Sequence, residues 1–284
     1  GWEPSPEEAT YGELFNLDLE QLCWMHFKNI TLGARPGEIC IDFRVEYPAT
    51  SQEAFQTSGI ESFILPEYVL KARKWTAPNQ DHAARVMGVD TAWGGKSYTR
   101  LLDRQGRKLG GRVNLMLNLD DVMEIAGVIA REILTHEIQM TFIDVTGGCG
   151  SGPLHRLREL GFGDRVRGIN FSNRALDPIH FRNKRAEMWW GLREWLKDSG
   201  GADIPDDDVL HRHICAPTAR RDSNQRWVLE LKEKIMARLG FSPDGGDAGA
   251  LTFAETVIRP TTEPTSWRDE LPADYGRKND WMTA

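Results

Sequence analysis

Three aspartates stand where the sequence could do chemistry. Asp90 closes the apolar run Val86 to Asp90 in VMGVDTAWGG, and Asp144 closes MTFIDV (140–145) just ahead of the glycines of TGGCG. Asp247 lies in the first turns of a helix that Ser242 and Pro243 open in SPDGGDAGALTF. Asp244 precedes it by three residues, on the same helical face. Three or four carboxylates brought together repel one another unless a positive charge binds among them. A convergent oxygen set with neither His nor Cys suits Mg²⁺ or Mn²⁺. Two such ions, about 4 Å apart, can activate a water and stabilise the leaving oxygen of a phosphodiester. The glycines after Asp90 and Asp144 leave room for a phosphate backbone to approach. A single Asp at a strand end is more often a cap or turn former, and Asp120, Asp121, Asp203 and Asp206 to Asp208 read that way. Asp90 and Asp144 differ in context: an apolar strand, the acid at its end, then glycine-rich chain.

The elements that must position these acids are legible from periodicity. Val86–Asp90, Tyr98–Asp103 and Arg112–Leu117 read as three successive strands, with Gly106, Gly110 and Gly111 at the turn between the last two. Asp120–Glu137 has apolar residues at Val122, Ile125, Ala126, Ile129, Ile133 and Leu134, a helical spacing capped by Asp120 or Asp121. Met140–Val145 is a fourth strand, Gly152–Leu160 a short helix and Val166–Phe171 a further strand. Phe181–Lys197 is an amphipathic helix, Arg226–Leu231 a candidate strand, and Ser242 opens a last helix through about Val257. Three strands followed by strand–helix units imply a mixed sheet with helices on its faces, in the order of the ribonuclease H-like fold. First and fourth strands are often neighbours in such a sheet, which would set Asp90 beside Asp144.

Upstream, residues 1 to 80 are mixed in texture, with a helical signal over Leu17–Phe27 and a short alternating run at Ile39–Val45; the polar link WTAPNQDHAA (75–84) is a plausible domain boundary. Residues 259–284 hold Pro260, Pro264 and Pro272 among charges and read as an extended or disordered tail. The 284 residues are 40% hydrophobic and 27% charged, ordinary for a globular protein. No run of eighteen apolar residues occurs, so no membrane partner is expected. The opening GWEPSPEEAT has no apolar stretch of the secretory type. Cys23, Cys40, Cys149 and Cys215 lack CxxC spacing, which suits free thiols in a reducing cytoplasm. A net charge of −7 argues against a protein that coats nucleic acid, but not against a local basic groove.

Several ordered segments resemble the nuclease domain of large terminase subunits from tailed bacteriophages: GVDTAWGGK (88–96), TFIDVTGGCG (141–150), INFSNRALDP (169–178), FRNKRAEMWWGLREWL (181–196) and SPDGGDAGALTFA (242–254). The likeness covers about 85 to 258, and DFRVEYPATSQEAF (42–55) is similar to the end of the terminase ATPase domain. The resemblance implies a ribonuclease H-like nuclease domain at 85–258, preceded over 1–80 by the C-terminal end of an ATPase domain and its linker. It implies two-metal hydrolysis of concatemeric double-stranded DNA with Mg²⁺ or Mn²⁺. Asp90, Asp144 and Asp247 become the catalytic metal ligands, with Asp244 as an accessory acid. Implied partners are the DNA, the portal and the small terminase subunit, in a packaging complex in the host cytoplasm. Two departures from the family pattern stand out. No Walker A loop G-x-x-x-x-G-K-[ST] is present, since Gly95-Lys96-Ser97 has Asp90 where the first Gly belongs. Gly246 and Gly249 replace an Ala and a Leu in the last motif, which puts the rigidity of that helix in doubt.

Between 155 and 193, nine Lys or Arg stand against four Asp or Glu, a local +5 suited to phosphate contacts. Arg182, Lys184 and Arg185 are the first candidates for DNA contact, with Lys96. Trp189, Trp190 and Trp195 sit at helical spacing and are read as core rather than as a base-stacking platform. His211 and His213 form a weak metal pattern. Rival readings are a resolvase- or transposase-type nuclease of the same fold, an actin-like or sugar-kinase ATPase, and a non-enzymatic DNA- or portal-docking module. The first has no use for an ATPase end, and the second needs two tandem copies of the fold.

Overall fold

The computed structural model describes residues 2–49, 62–92 and 98–259. The chain begins with α1 (Pro6–Phe15) and α2 (Leu19–Thr31), each opened by a capping box, Ser5 with Glu8 and Asp18 with Gln21. The alternating run at Ile39–Val45 forms a short helix, α3 (Ile41–Glu46), rather than a strand. Its Phe43 joins Tyr11, Leu22, Met25 and Ile39 in a small core, so tertiary burial overrides the period-two pattern. EYPATSQEAF (46–55) lies mostly outside the described residues, as does the tail from 260. Next comes α4 (Pro66–Lys74), with Pro66 at its first turn and Lys71, Arg73 and Lys74 in its last. Phe63, Ile64, Val69 and Ala72 are buried with the residues of the sheet that follows. Although α4 precedes the polar link, it shares the sheet's core.

β1 (Arg85–Asp90), β2 (Thr99–Gln105) and β3 (Lys108–Leu117) form a meander in which β2 runs antiparallel to both its neighbours. The helix α5 (Val122–Thr135), capped by Asp121, then carries the chain back to β4 (Met140–Asp144), which lies parallel to β1. After α6 (Ser151–Leu157), β5 (Val166–Ile169) adds in parallel to β4. The order β3-β2-β1-β4-β5 is a mixed five-stranded sheet flanked by helices, the ribonuclease H-like arrangement expected from the sequence. Strand alternation divides the core in two. Val86, Leu102 and Phe142 face one side with α7 (Lys184–Lys197), while Met87, Val89, Leu101 and Ile143 face the other with Ile125, Ile129 and Ile133 of α5.

The stretch from 198 to 241 is more ordered than its sequence suggested. It holds α8 (Asp208–Cys215) capped by Asp207, a separate hairpin of β6 (Ala219–Arg221) and β7 (Trp227–Leu229), and α9 (Lys232–Leu239). The last described helix is α10 (Asp244–Leu251), shorter than the expected run to Val257. Past Leu251 the amides of Thr252, Phe253 and Ala254 bond three residues back, which tightens and ends the helix. Arg104 from β2 caps that end, its guanidinium donating to Thr252 Oγ1 at 3.0 Å and to the Thr252 carbonyl at 2.8 Å. No described helix is long and apolar enough to cross a membrane.

Gly246 of α10 proves to be a packing device rather than a weak point, while Gly249 has room for a Cβ at ordinary contact distance. A Cβ on Gly246 would lie 2.4 Å from Cη2 of Trp189 and 2.7 Å from the His213 carbonyl oxygen. A Cβ on Gly88 in β1 would lie 1.9 Å from the Ala248 carbonyl oxygen. The backbone of α10 is thus pressed directly onto β1 below and onto α7 and α8 at its sides, and every residue from Gly245 to Leu251 is buried.

Candidate active site

The parallel pairing of β1 with β4 matches Val89 to Ile143, so Asp90 and Asp144 follow side by side at the carboxyl ends of adjacent central strands. The close seating of α10 on Gly88 brings Asp247 over the same edge, and Asp244 follows one turn away. All four predicted acids therefore meet. Asp90, Asp144 and Asp247 are buried, at 3%, 7% and 0% exposure.

A cation that sequence reasoning missed stands among them. Lys232, the first residue of α9, places its Nζ 2.7 Å from Asp90 Oδ2, 3.2 Å from Asp247 Oδ2 and 3.7 Å from Asp244 Oδ1. Asp144 does not touch it; its Oδ1 accepts the Thr146 amide at 2.8 Å. Asp244 accepts a hydrogen bond from the Ser242 hydroxyl. Asp247 is the most heavily held: Arg185 Nε donates to its Oδ1 at 2.9 Å, Arg185 Nη2 to its Oδ2 at 3.3 Å, and Trp189 Nε1 to its Oδ1 at 2.7 Å.

The electrostatics follow from this layout. Burial, and the neighbouring charges of Asp247, Asp244 and Asp144, hold the Asp90 carboxyl well above the usual carboxylate range despite the pull of Lys232. Burial also raises Asp144, although its bonds from Thr146 oppose the shift. Burial acts the same way on Asp247, but the charges of Arg185 and Lys232 outweigh it, and this acid is held below its ordinary range. Lys232 is half-buried, which disfavours its charge, yet the surrounding carboxylates more than compensate and its ammonium is held above its usual value. The cluster is thus an anionic pocket built to take positive charge, with Lys232 as the resident cation.

The donor set fits divalent ions of the Mg²⁺ or Mn²⁺ type: only carboxylate oxygens converge, around a point where a cation already stands. The carboxylates stand 2.7–3.7 Å from Lys232 Nζ, farther than the about 2.0–2.1 Å of Mg²⁺ coordination. Among the described residues, no three His, Cys, Asp or Glu side chains stand close enough together to hold a metal ion as they are.

The predicted DNA contacts divide. Arg182 is presented to solvent, its side chain 59% exposed and 3.9 Å from Asp222. Lys184 and Arg185 are buried instead: Lys184 pairs with Glu187 at 2.7 Å, and Arg185 turns inward to Asp247. The reason is position on α7, whose first turn lies under α10 and the 171–177 loop; the amides of Lys184 and Arg185 bond to the Asn173 and Phe171 carbonyls. Lys96 lies outside the described residues. Other exposed cations are Arg174 and, on the β6–β7 hairpin, Arg220 and Arg221, the last lying over the Trp227 ring. Trp189 and Trp195 are core, as expected, and Trp190 is half-buried among Phe63, Phe181 and Trp227. His211 and His213 brace helices. His211 Nδ1 lies 3.0 Å from Arg73 Nη1, and His213 Nδ1 accepts the Gly245 amide at 3.0 Å.

No protein-family model matches the sequence, and no curated protein matches it. Solved structures do match. The nuclease domain of the large terminase subunit gp2 of bacterial virus Sf6 superposes with a TM-score of 0.59 at 18% identity, over 69% of this chain and 100% of that one. A mutant of the same domain solved with manganese gives 0.57 at 17% identity, with the same coverage. The large terminase of the HK97 bacteriophage gives 0.50 at 11% identity, over 69% of this chain and 43% of that one. The chain thus has the ribonuclease H-like fold of large-terminase nuclease domains.

Proposed function

We propose that this chain is the DNA-cutting part of a viral genome-packaging terminase, a metal-dependent endonuclease that cleaves concatemeric double-stranded DNA. The observation that carries the reading is the meeting of Asp90, Asp144, Asp244 and Asp247 around the single ammonium of Lys232, at the carboxyl edge of β1 and β4. The fold shared with the Sf6 domain supports it, as does the manganese in that domain's mutant structure.

In this reading Asp90, Asp144 and Asp247, with Asp244 as accessory, hold two Mg²⁺ or Mn²⁺ ions. When bound, the ions supply an activated water and charge stabilisation at the scissile phosphate. Asp90 would be the central ligand, because it lies beside Asp144 on the adjacent strand and shares Lys232 with Asp244 and Asp247. Lys232 keeps the acids together in the absence of metal and gives way to the ions. Arg182, Arg174, Arg220 and Arg221 supply sequence-independent phosphate contacts. Residues 1–80 are the end of the ATPase domain and its linker, and the portal and the small terminase subunit are partners of the whole motor in the host cytoplasm.

The test is cleavage of supercoiled plasmid in EDTA, Mg²⁺ or Mn²⁺, by the chain and by Asp90→Asn and Asp144→Asn. Metal-dependent nicking and linearisation, lost in both variants, is the expected outcome. A folded chain inert with every metal would instead favour a docking module with a silent site, and cleavage surviving both substitutions would remove the acids from the mechanism.

A further inference from the structure

Arg185 and Trp189 stand one turn apart on α7 and reach the same carboxylate. An ionised carboxylate offers two oxygens and about four lone-pair directions. On Asp247, three are taken by fixed groups of the protein: Oδ1 by Arg185 Nε and Trp189 Nε1, and Oδ2 by Arg185 Nη2. The fourth, on Oδ2, faces Lys232 at 3.2 Å. Asp90 differs sharply: among the described residues its one hydrogen bond is to Lys232.

The clamp is itself fixed. The remaining arm of Arg185, Nη1, donates to the Glu230 carbonyl at 2.7 Å, two residues before Lys232. Its guanidinium lies 6.0 Å from the ring centres of both Phe171 and Trp189. Trp189 is wholly buried, and the bare backbone at Gly246 is what lets α10 settle on the indole so that its N–H meets Asp247. Arg185 thus connects three parts of the site: α7, the carboxylate on α10 and the strand end that leads to Lys232.

We propose that Arg185 and Trp189 are positioning residues that orient Asp247 so that it offers the metal site one oxygen, Oδ2, in the direction Lys232 now holds. The inference rests on the metal-dependent reading above and adds to it a fixed division of labour. Asp247 is a rigid ligand through one atom, whereas the described residues hold Asp90 by the Lys232 ammonium alone. It also explains why a cationic side chain from the predicted DNA-contact motif is buried: its charge is needed on the carboxylate, not on phosphate. Partners of this kind around a ligand, when removed, typically weaken metal affinity or activity by about 10–100-fold.

The experiment compares the full chain with Trp189→Phe, which keeps an aromatic ring and loses the N–H, and with Arg185→Lys, which keeps the charge and loses the two-pronged geometry. Free Mn²⁺ is titrated and followed by electron paramagnetic resonance, with thermal melting in EDTA and plasmid cleavage measured in parallel. The expected result is Mn²⁺ affinity about 10-fold weaker in each variant, with cooperative melting retained and cleavage by Trp189→Phe largely recovered at saturating Mn²⁺. A purely structural role would lower the melting temperature and leave the affinity of the folded protein unchanged, which would overturn the proposal. If Arg185→Lys fails to melt cooperatively, Trp189→Phe decides alone, and the reverse holds. Wild-type chain that binds no Mn²⁺, with Asp90→Asn cutting as well as wild type, would instead overturn the metal-dependent reading on which the clamp rests.

Discussion

Lys232 is the side chain whose removal tests the electrostatic account most directly. Its ammonium lies within 3.7 Å of three carboxylates, two of which are almost wholly buried, and its own side chain is only 27% exposed. Lys232→Met keeps most of the aliphatic stem, so the change is chiefly one of charge. Removing one partner of a buried ion pair typically costs about 3–5 kcal/mol, because it leaves an uncompensated buried charge. In a domain of this size that lowers the melting temperature by about 6–20 °C, taking roughly 2–4 °C per kcal/mol. The deficit should grow with pH. Asp90 and Asp144 are already held above the ordinary carboxylate range, and a raised carboxylate loses its contribution as pH rises through its folded-state value.

A divalent ion should reverse the loss. Binding to the folded state alone adds about 2.7 kcal/mol at a hundred times Kd, enough to restore most of the deficit. The wild type gains less from the same metal, because Lys232 must first leave its carboxylates. The assay is thermal melting of both proteins in EDTA and across a Mn²⁺ series. The expected pattern is a low melting temperature for Lys232→Met in EDTA and a larger metal-induced rise than in wild type. A variant that melts within about 2 °C of wild type in EDTA, with no larger rise in Mn²⁺, would refute the idea that Lys232 is the resident cation of the acid cluster.

Two other perturbations follow from the packing. Gly88→Ala places a Cβ 1.9 Å from the Ala248 carbonyl oxygen and 2.9 Å from Leu251 Cβ; α10 must move, at about 1–3 kcal/mol of overpacking, and plasmid cleavage should fall further than melting temperature does, because Asp247 moves with it. Normal cleavage by this variant would show that the seating of α10 on β1 does not set the site. His211 is wholly buried, and burial with the charge of Arg73 lowers its pKa from 6.5 to about 4. The unfolded chain takes up the proton first, so stability present above pH 6.5 is lost as pH falls toward 4, by on the order of 3 kcal/mol. Urea midpoints of wild type and His211→Leu at pH 7 and pH 4.5 should show the smaller acid loss in the variant, and equal losses would count against it.

Much of the fold was legible because its signals are local. The short apolar and β-rich runs gave β1 to β5, and the apolar spacing Ile125, Ala126, Ile129, Ile133 gave α5. What failed was governed by packing at a distance. The Ile39–Val45 run alternates like a strand, yet Phe43 is drawn into a helical cluster with Tyr11 and Met25. The last helix stops at Leu251 because Arg104, 148 residues away from Thr252 in sequence, caps its end. Gly246 of α10 suggested looseness by propensity alone, but it marks the place where the Trp189 indole comes closest, as Gly88 of β1 marks where the backbone of α10 does.

The site shows the same division, and the division has a physical cause. A metal-binding acid at a strand end has a sequence signature, because the strand's apolar run and the glycines after it are both local requirements. The residues that hold such an acid have none. Lys232 lies in ELKEKIMARL, where it reads as one more charge on a solvated helix, and it reaches Asp90 from 142 residues away. In sequence Arg185 reads as one of a surplus of basic residues suited to phosphate, whereas in the fold its guanidinium is held by Asp247, 62 residues further on. A buried carboxylate demands a compensating cation wherever the fold can supply one. A sequence that shows several acids converging without enough cations beside them therefore already says that some distant Lys or Arg turns inward. Which one can be found only from the fold, and here two do: Arg185 fixed on Asp247, and Lys232 placed among the acids where an ion can displace it.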